Sequence, residues 1–221
     1  MPYSIAIDGP AGAGKSTIAK AVARELGYVY IDTGAMYRAV GLFCLDEAIA
    51  LEDEARVSEA VRDIDIMIAY DEDGAQQVFL NGANVSTRIR TQQVGDAAST
   101  VSQYPAVREK MVKLQQSLAE HTSVVMDGRD IASKVLPNAD TKIYLTASVE
   151  ERARRRANEL REKGEACDIA EVEAEIRARD DRDMHRQHSP LIQVPEAVLV
   201  DSSTLTIDET IDRILEICMQ H

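Results

Sequence analysis

The stretch Gly9-Pro10-Ala11-Gly12-Ala13-Gly14-Lys15-Ser16, followed by Thr17, constrains this chain more than any other feature. It fits G-x-x-x-x-G-K-[ST], a loop whose backbone N–H groups turn inward around a phosphate at the positive end of a helix. The motif needs a strand before it and a helix after it. Ser4-Ile5-Ala6-Ile7-Asp8 supplies the first, and Ile18, Val22 and Leu26 lie on one face of the second. A chance match in a chain of this size is on the order of 1%, and the flanking elements lower it further, so nucleotide binding follows. Lys15 is placed to reach the β- and γ-phosphates, and Ser16 to ligate Mg²⁺.

The rest of the chain continues the alternation. Tyr28-Val29-Tyr30-Ile31, Ser123 to Asp127, Lys142 to Leu145 and Ala197 to Asp201 read as strands buried on both faces. A helix is expected from Val107 through Met111, Leu114 and Leu118. Two more start at the capping boxes Ser148-x-x-Glu151 and Thr206-x-x-Glu209. This predicts an α/β fold, a doubly wound parallel five-stranded sheet of the P-loop NTPase type. Asp65 to Val85 departs from it and reads as a β-hairpin with the acidic turn Asp71-Glu72-Asp73-Gly74, an inserted antiparallel sheet. Arg152 to His188 departs too. Nine of the eighteen arginines fall between Arg152 and Arg186. Two helices broken near Gly164, projecting from the core with little apolar surface to bury, are expected there, as in a moving lid.

A net charge of −13 argues against general nucleic-acid binding, which needs a basic surface. No run of 18 apolar residues is present, so no membrane span is expected. The start, Met1-Pro2-Tyr3-Ser4-Ile5, reads as a first strand and not a leader peptide. Cys44, Cys167 and Cys218 are odd in number and far apart, which predicts free thiols in a reducing, cytoplasmic setting.

The P-loop alone does not separate switches, motors and kinases. A GTPase would carry Asn-Lys-x-Asp, and the sequence has no Asn-Lys pair. Three further segments suit a small-molecule kinase: Asp32-Thr33-Gly34-Ala35-Met36-Tyr37-Arg38, Asp127-Gly128-Arg129-Asp130, and Arg179 to Arg186. On a helix, Arg179, Asp183 and Arg186 would share one face. With Ile89-Arg90-Thr91-Gln92 and the ending Asp201-Ser202-Ser203, these signatures resemble bacterial cytidylate kinase over essentially the whole chain. Thr33 stands where many of that family carry serine, keeping the hydroxyl.

The resemblance implies transfer of the ATP γ-phosphoryl group to CMP or dCMP. It places Thr33, Tyr37, Arg38 and Arg129 around the acceptor phosphate. Ser99, Arg108 and Asp130 would read the cytosine, Asp183 the sugar, and Arg179 and Arg186 the phosphates. Lys15, Arg129, Arg179, Arg186 and Asp127 would carry catalysis, with Asp127 orienting water on Mg²⁺. It also implies a single kinase domain: core 1–32, 101–151 and 189–221, acceptor-binding region 33–100 with its β insert at about 62–90, and lid at about 152–188. ATP, Mg²⁺ and the two small acceptors are the expected partners of a monomer, with no nucleic acid and no membrane.

Other readings of the same residues stay open at this point. Arg152 to Arg186 also fits a solvated helix laced with i,i+4 ion pairs. Asp127 fits a strand-end turn, Ser99 an ordinary helical position, and Tyr37 a core residue. His121, His185, His188 and His221 read as surface residues. A kinase for UMP or an alcohol, and a nucleotide-dependent switch without turnover, are the competing functions. An acceptor assay separates all three.

Overall fold

The computed structural model describes residues 2–162 and 164–220. Met1, Lys163 and His221 lie outside the described residues. The chain forms two compact units, residues 1–30 with 121–221, and residues 31–120. It opens with β1 (Ser4–Asp8), α1 (Lys15–Leu26) and β2 (Val29–Asp32), and crosses into the second unit within β2. There it forms α2 (Thr33–Asp46), α3 (Glu54–Asp63), β3 (Ile66–Tyr70), β4 (Gln76–Leu80), β5 (Ala83–Asn84), α4 (Gln92–Val101) and α5 (Pro105–Ala119). It returns to the first unit for β6 (Val124–Gly128), β7 (Thr141–Thr146), α6 (Val149–Glu162), α7 (Ile169–His185), β8 (Val198–Asp201) and α8 (Ile207–Met219).

The five-stranded sheet has the order β2-β6-β1-β7-β8, with β1 parallel to β6 and β7, and β7 parallel to β8. Ile5, Ile7, Val125, Ile143 and Leu145 are fully buried in it, packed with Ile18 and Val22 of α1 and Ile214 and Ile217 of α8. Apolar residues on consecutive strand positions are what a sheet covered on both faces requires. Because β1 stands between β6 and β7, the loops leaving its C-terminal end and that of β6 open at the place where strand order reverses. Ligands of such sheets bind there. The first of these loops begins at Gly9, where a Cβ would lie 1.9 Å from the Leu145 carbonyl oxygen, so no other residue fits.

The second unit contains the inserted sheet. Ile68 pairs with Val78 and Tyr70 with Gln76 in antiparallel register, around a turn in which Asp71 Oδ1 accepts from the Asp73 and Ala75 N–H groups. The expected hairpin is a three-stranded sheet, because the two-residue β5 adds to β4. Residues 101–120, expected in the core, belong to the second unit. The Lys110 ammonium of α5 donates to the Val61, Arg62 and Ile64 carbonyls and so satisfies the end of α3.

Two further expectations need correction. The charged segment is two helices, but they bury an apolar seam of Ala153, Val172 and Ile176, with Val149, Leu160 and Cys167 against it. The helices are parted at Gly164, with φ +79, whose N–H returns to the Arg161 carbonyl. The capping box at Thr206 and Glu209 is complete. At Ser148 only half is made: the Glu151 N–H donates to Ser148 Oγ, but the Ser148 N–H donates to Ser203 Oγ. The Glu151 carboxylate instead takes Arg154 and Arg155. The three cysteines are free thiols. No helix among the described residues is long and apolar enough to cross a membrane.

Candidate active site

In the first unit the phosphate loop ends at Gly14, which caps α1 at φ +82, a conformation costly for any residue with a Cβ. The helix therefore begins at Lys15 with no side-chain cap, and its first N–H groups are left to the loop. Lys15 is 5% exposed and its Nζ donates to the Pro10 carbonyl at 2.7 Å. Burial pushes its pKa well below the ordinary lysine value, and the Arg129 charge adds to this; Asp127 and Asp183 oppose it. Such a lysine gains most when an anion replaces the water it has lost.

Ser16 Oγ donates to Asp127 Oδ2 at 2.9 Å, and the Tyr30 hydroxyl donates to Asp127 Oδ1 at 2.8 Å. Asp127 is thus fixed by both oxygens at the end of β6. Two residues on, Arg129 Nε donates to Asp183 Oδ2 of α7 at 2.8 Å. Arg186 approaches the same carboxylate, with Nη1 3.7 Å from Asp183 Oδ1, and its Nη2 lies 3.9 Å from Asp130 Oδ1. Arg186 lies just beyond α7 in extended conformation, not on the shared helical face expected, and its Nε is held by the Ser189 carbonyl. Burial alone would push the Asp183 carboxyl up, but Arg129, Arg179 and Arg186 hold it below the usual value. Lys15, Ser16, Asp127, Arg129, Asp130, Arg179, Asp183 and Arg186 thus all lie in the first unit, linked by these contacts and charges.

Asp8 was not among the expected site residues. It is 2% exposed, and its two oxygens accept from the Ile131 and Ala132 N–H groups, each at 2.8 Å. It therefore anchors the chain immediately after Arg129 and Asp130. The available signal was a carboxylate ending an otherwise apolar strand beside the P-loop. Burial pushes Asp8 up to about 6 against the two N–H bonds, with Asp130 adding repulsion. A folded pKa above the unfolded one means the native state holds the extra proton, so this stability is present below pH ~4 and lost as pH rises through about 6. Between pH 5 and pH 7 the loss is about 1 kcal/mol. Urea unfolding of wild type and Asp8→Asn at both pH values should show their stability difference shifting by that amount toward the variant at pH 7. Equal differences at the two pH values would contradict it.

In the second unit, α2 carries Thr33, Tyr37 and Arg38. Asp32 caps it: Oδ1 accepts from the Ala35 N–H at 3.0 Å and Oδ2 from Arg90 at 2.9 Å. Gln76 of β4 grips the same residue through its backbone, accepting from the Asp32 N–H at 2.8 Å and donating to its carbonyl at 3.2 Å. Arg38 Nη1 donates to the Ile89 and Thr91 carbonyls, so part of this guanidinium is already engaged with the protein. The Arg108 guanidinium lies 5.2 Å from the centre of the Tyr37 ring and donates to the Ser102 carbonyl at 3.0 Å. Ser102 Oγ in turn donates to the Ser99 carbonyl. Tyr37, Arg108 and Ser99 are thus connected, and Thr33 is buried at the first position of α2. Asp32, Gln76 and Arg90 carry the positioning that was missed; the Asp32-x-x-Ala35 cap was visible in the sequence, the Gln76 grip was not. His185, at the end of α7, is exposed, with Nδ1 2.9 Å from Asp181 Oδ1.

The sequence model of the cytidylate kinase family matches residues 5–220. The chain is 50% identical over 214 residues to a cytidylate kinase of Caldicellulosiruptor bescii, covering 97% of this chain and 94% of that protein. It is 52% identical over 216 residues to one of Caldanaerobacter subterraneus, with 98% and 94% covered. Among solved structures, an uncharacterised protein of Eubacterium ventriosum superposes with a TM-score of 0.56 over 99% of each chain at 11% identity. That likeness concerns the fold.

Proposed function

The chain belongs to the cytidylate kinase family, and from that premise we propose that it transfers the γ-phosphoryl group of ATP to CMP or dCMP, forming ADP and the diphosphate. One observation carries the reading: the phosphate loop and the Arg129–Asp183–Arg186 cluster belong to one unit, bridged by charges that act on Lys15.

The attacking oxygen of a monophosphate is already anionic, so no general base is required. Catalysis is in-line positioning and neutralisation of charge. Lys15 and the loop N–H groups that follow Ala11 take the donor phosphates, within the ATP site of residues 9–17. Arg129, Arg179 and Arg186 take the transferred and acceptor phosphates, with Arg38, Tyr37 and Thr33 on the acceptor. The oxygen donors of Ser16 and Asp127 suit Mg²⁺, a hard cation that keeps several waters. Ser16 would hold it directly and Asp127 through water, and the ion would supply neutralisation of negative charge on the phosphates. Ser99, Arg108 and Asp130 suit cytosine, whose exocyclic amine donates while N3 and O2 accept. Uracil reverses part of that pattern and would leave buried groups mispaired. Residues 152–188 are the proposed lid, excluding water and limiting futile hydrolysis. A cytoplasmic monomer belongs to the same proposal; three free thiols suit a reducing compartment.

The test is ADP release from ATP·Mg²⁺ with CMP, dCMP, UMP, AMP, GMP or no acceptor. Turnover confined to CMP and dCMP, with kcat/KM at least about 10²-fold above UMP, is expected. Preference for another base would overturn the roles of Arg108 and Asp130. Absence of acceptor-dependent turnover would overturn the activity.

The β insert enters through Gln76. Asp32 begins the acceptor helix, and Gln76→Ala removes both bonds that hold its backbone. A several-fold rise in KM for CMP with KM for ATP unchanged is expected, at a stability cost of about 1–2 kcal/mol. Equal KM values for CMP in variant and wild type would show that the grip has no part in acceptor binding.

A further inference from the structure

Ala11 sits in the middle of the phosphate loop, and both of its backbone polar groups are held by α6 and α7. Its N–H donates to Asp180 Oδ1 at 3.1 Å, and its carbonyl accepts from Arg152 Nη1 at 2.8 Å. The same Nη1 donates to Asp180 Oδ2 at 2.6 Å, and Arg152 Nε donates to the Ala147 carbonyl at 2.9 Å. The two side chains are 5% and 10% exposed. A Cβ on Gly12 would stand 3.4 Å from Arg152 Cβ and 3.8 Å from Ile176 Cδ1, so the loop also lies in contact with both helices.

A buried ion pair adds little stability over an apolar pair of similar volume, because desolvation offsets the attraction. Its effect here is on geometry. The loop carries Gly12 at φ +74 and Gly14 at φ +82, conformations that an unsupported glycine chain samples among many others. Holding the N–H and C=O of one residue fixes the peptide planes on both sides of Ala11. The N–H groups that follow then keep their direction toward a phosphate without reorganisation.

We infer that Asp180 and Arg152 are positioning residues that clasp the phosphate loop at Ala11, so that ATP affinity depends on how α6 and α7 are seated. This rests on the kinase reading only in naming ATP as the anion; neither residue touches the reacting groups. The clasp predicts a defect confined to the donor side. A merely structural pair would lower stability and leave the two KM values alike.

The decisive variant is the double Asp180→Leu/Arg152→Met, which removes the clasp without leaving a buried charge unpaired. ATP binding is measured by calorimetry on the full chain without CMP, beside KM for both substrates and the thermal midpoint. Weakening of ATP binding by tenfold or more, with KM for CMP within twofold, is expected. A folded double variant that binds ATP within twofold of wild type overturns the inference. Should it not fold, Asp180→Asn decides: its amide oxygen still accepts from Ala11 while Arg152 loses its counter-charge. Threefold or greater weakening of ATP binding then supports the clasp, and unchanged binding overturns it. The calorimetry needs no turnover, so it reads the clasp even if CMP proves to be the wrong acceptor.

Discussion

Replacing Lys15 by methionine is expected to lower kcat by about 10³-fold, some 4 kcal/mol of transition-state stabilisation, while the protein stays folded. Lys15 is 5% exposed and its ammonium has the Pro10 carbonyl at 2.7 Å. In that dry setting a positive charge acts on phosphate oxygens with far less screening than in water. Burial and the nearby Arg129 already disfavour the charged form. Methionine has similar length and removes that desolvation cost, so the melting temperature should hold or rise. The paired measurements are steady-state kcat and thermal unfolding. A tenfold or smaller loss of kcat would mean that the lysine does not meet the phosphates in the transition state.

Arg129→Ala should be as damaging, in a different way. Arg129 holds Asp183 at 2.8 Å, and Asp183 is 8% exposed. Removing the guanidinium would take the proposed donor from the phosphates and leave a buried carboxylate short of its nearest partner. A loss of about 10³-fold or more in kcat/KM for CMP is expected, with a stability cost of about 2–4 kcal/mol. The two effects separate in the double variant Arg129→Ala/Asp183→Asn. Neutralising Asp183 should restore most of the stability and none of the turnover. If turnover returned with stability, Arg129 would be acting only as a counter-ion.

The site was legible where chemistry is written into neighbouring residues. The P-loop, the Thr206 capping box and the Asp127-Gly128-Arg129-Asp130 turn each place their chemical groups within a few consecutive positions, and each could be read in order. The hairpin was legible as two strands; β5, at two residues, is too short to leave a pattern. Arg186 was placed on a helix because its spacing suits one, but α7 stops at His185 and the arginine joins the cluster from outside.

The charged segment draws the boundary most clearly. By itself the sequence determined the sheet, the loop and the kinds of side chain available, since backbone preference and apolar periodicity act locally. It also offered the i,i+4 ion pairs within helices, such as Arg177 with Glu173. Only the tertiary structure decided that Arg152 belongs with Asp180 and Ala11, Arg129 with Asp183, and Gln76 with Asp32. Nine arginines compete for the acids around them, and the winner is set by distance and burial once the helices have packed. Sequence spacing carries neither quantity.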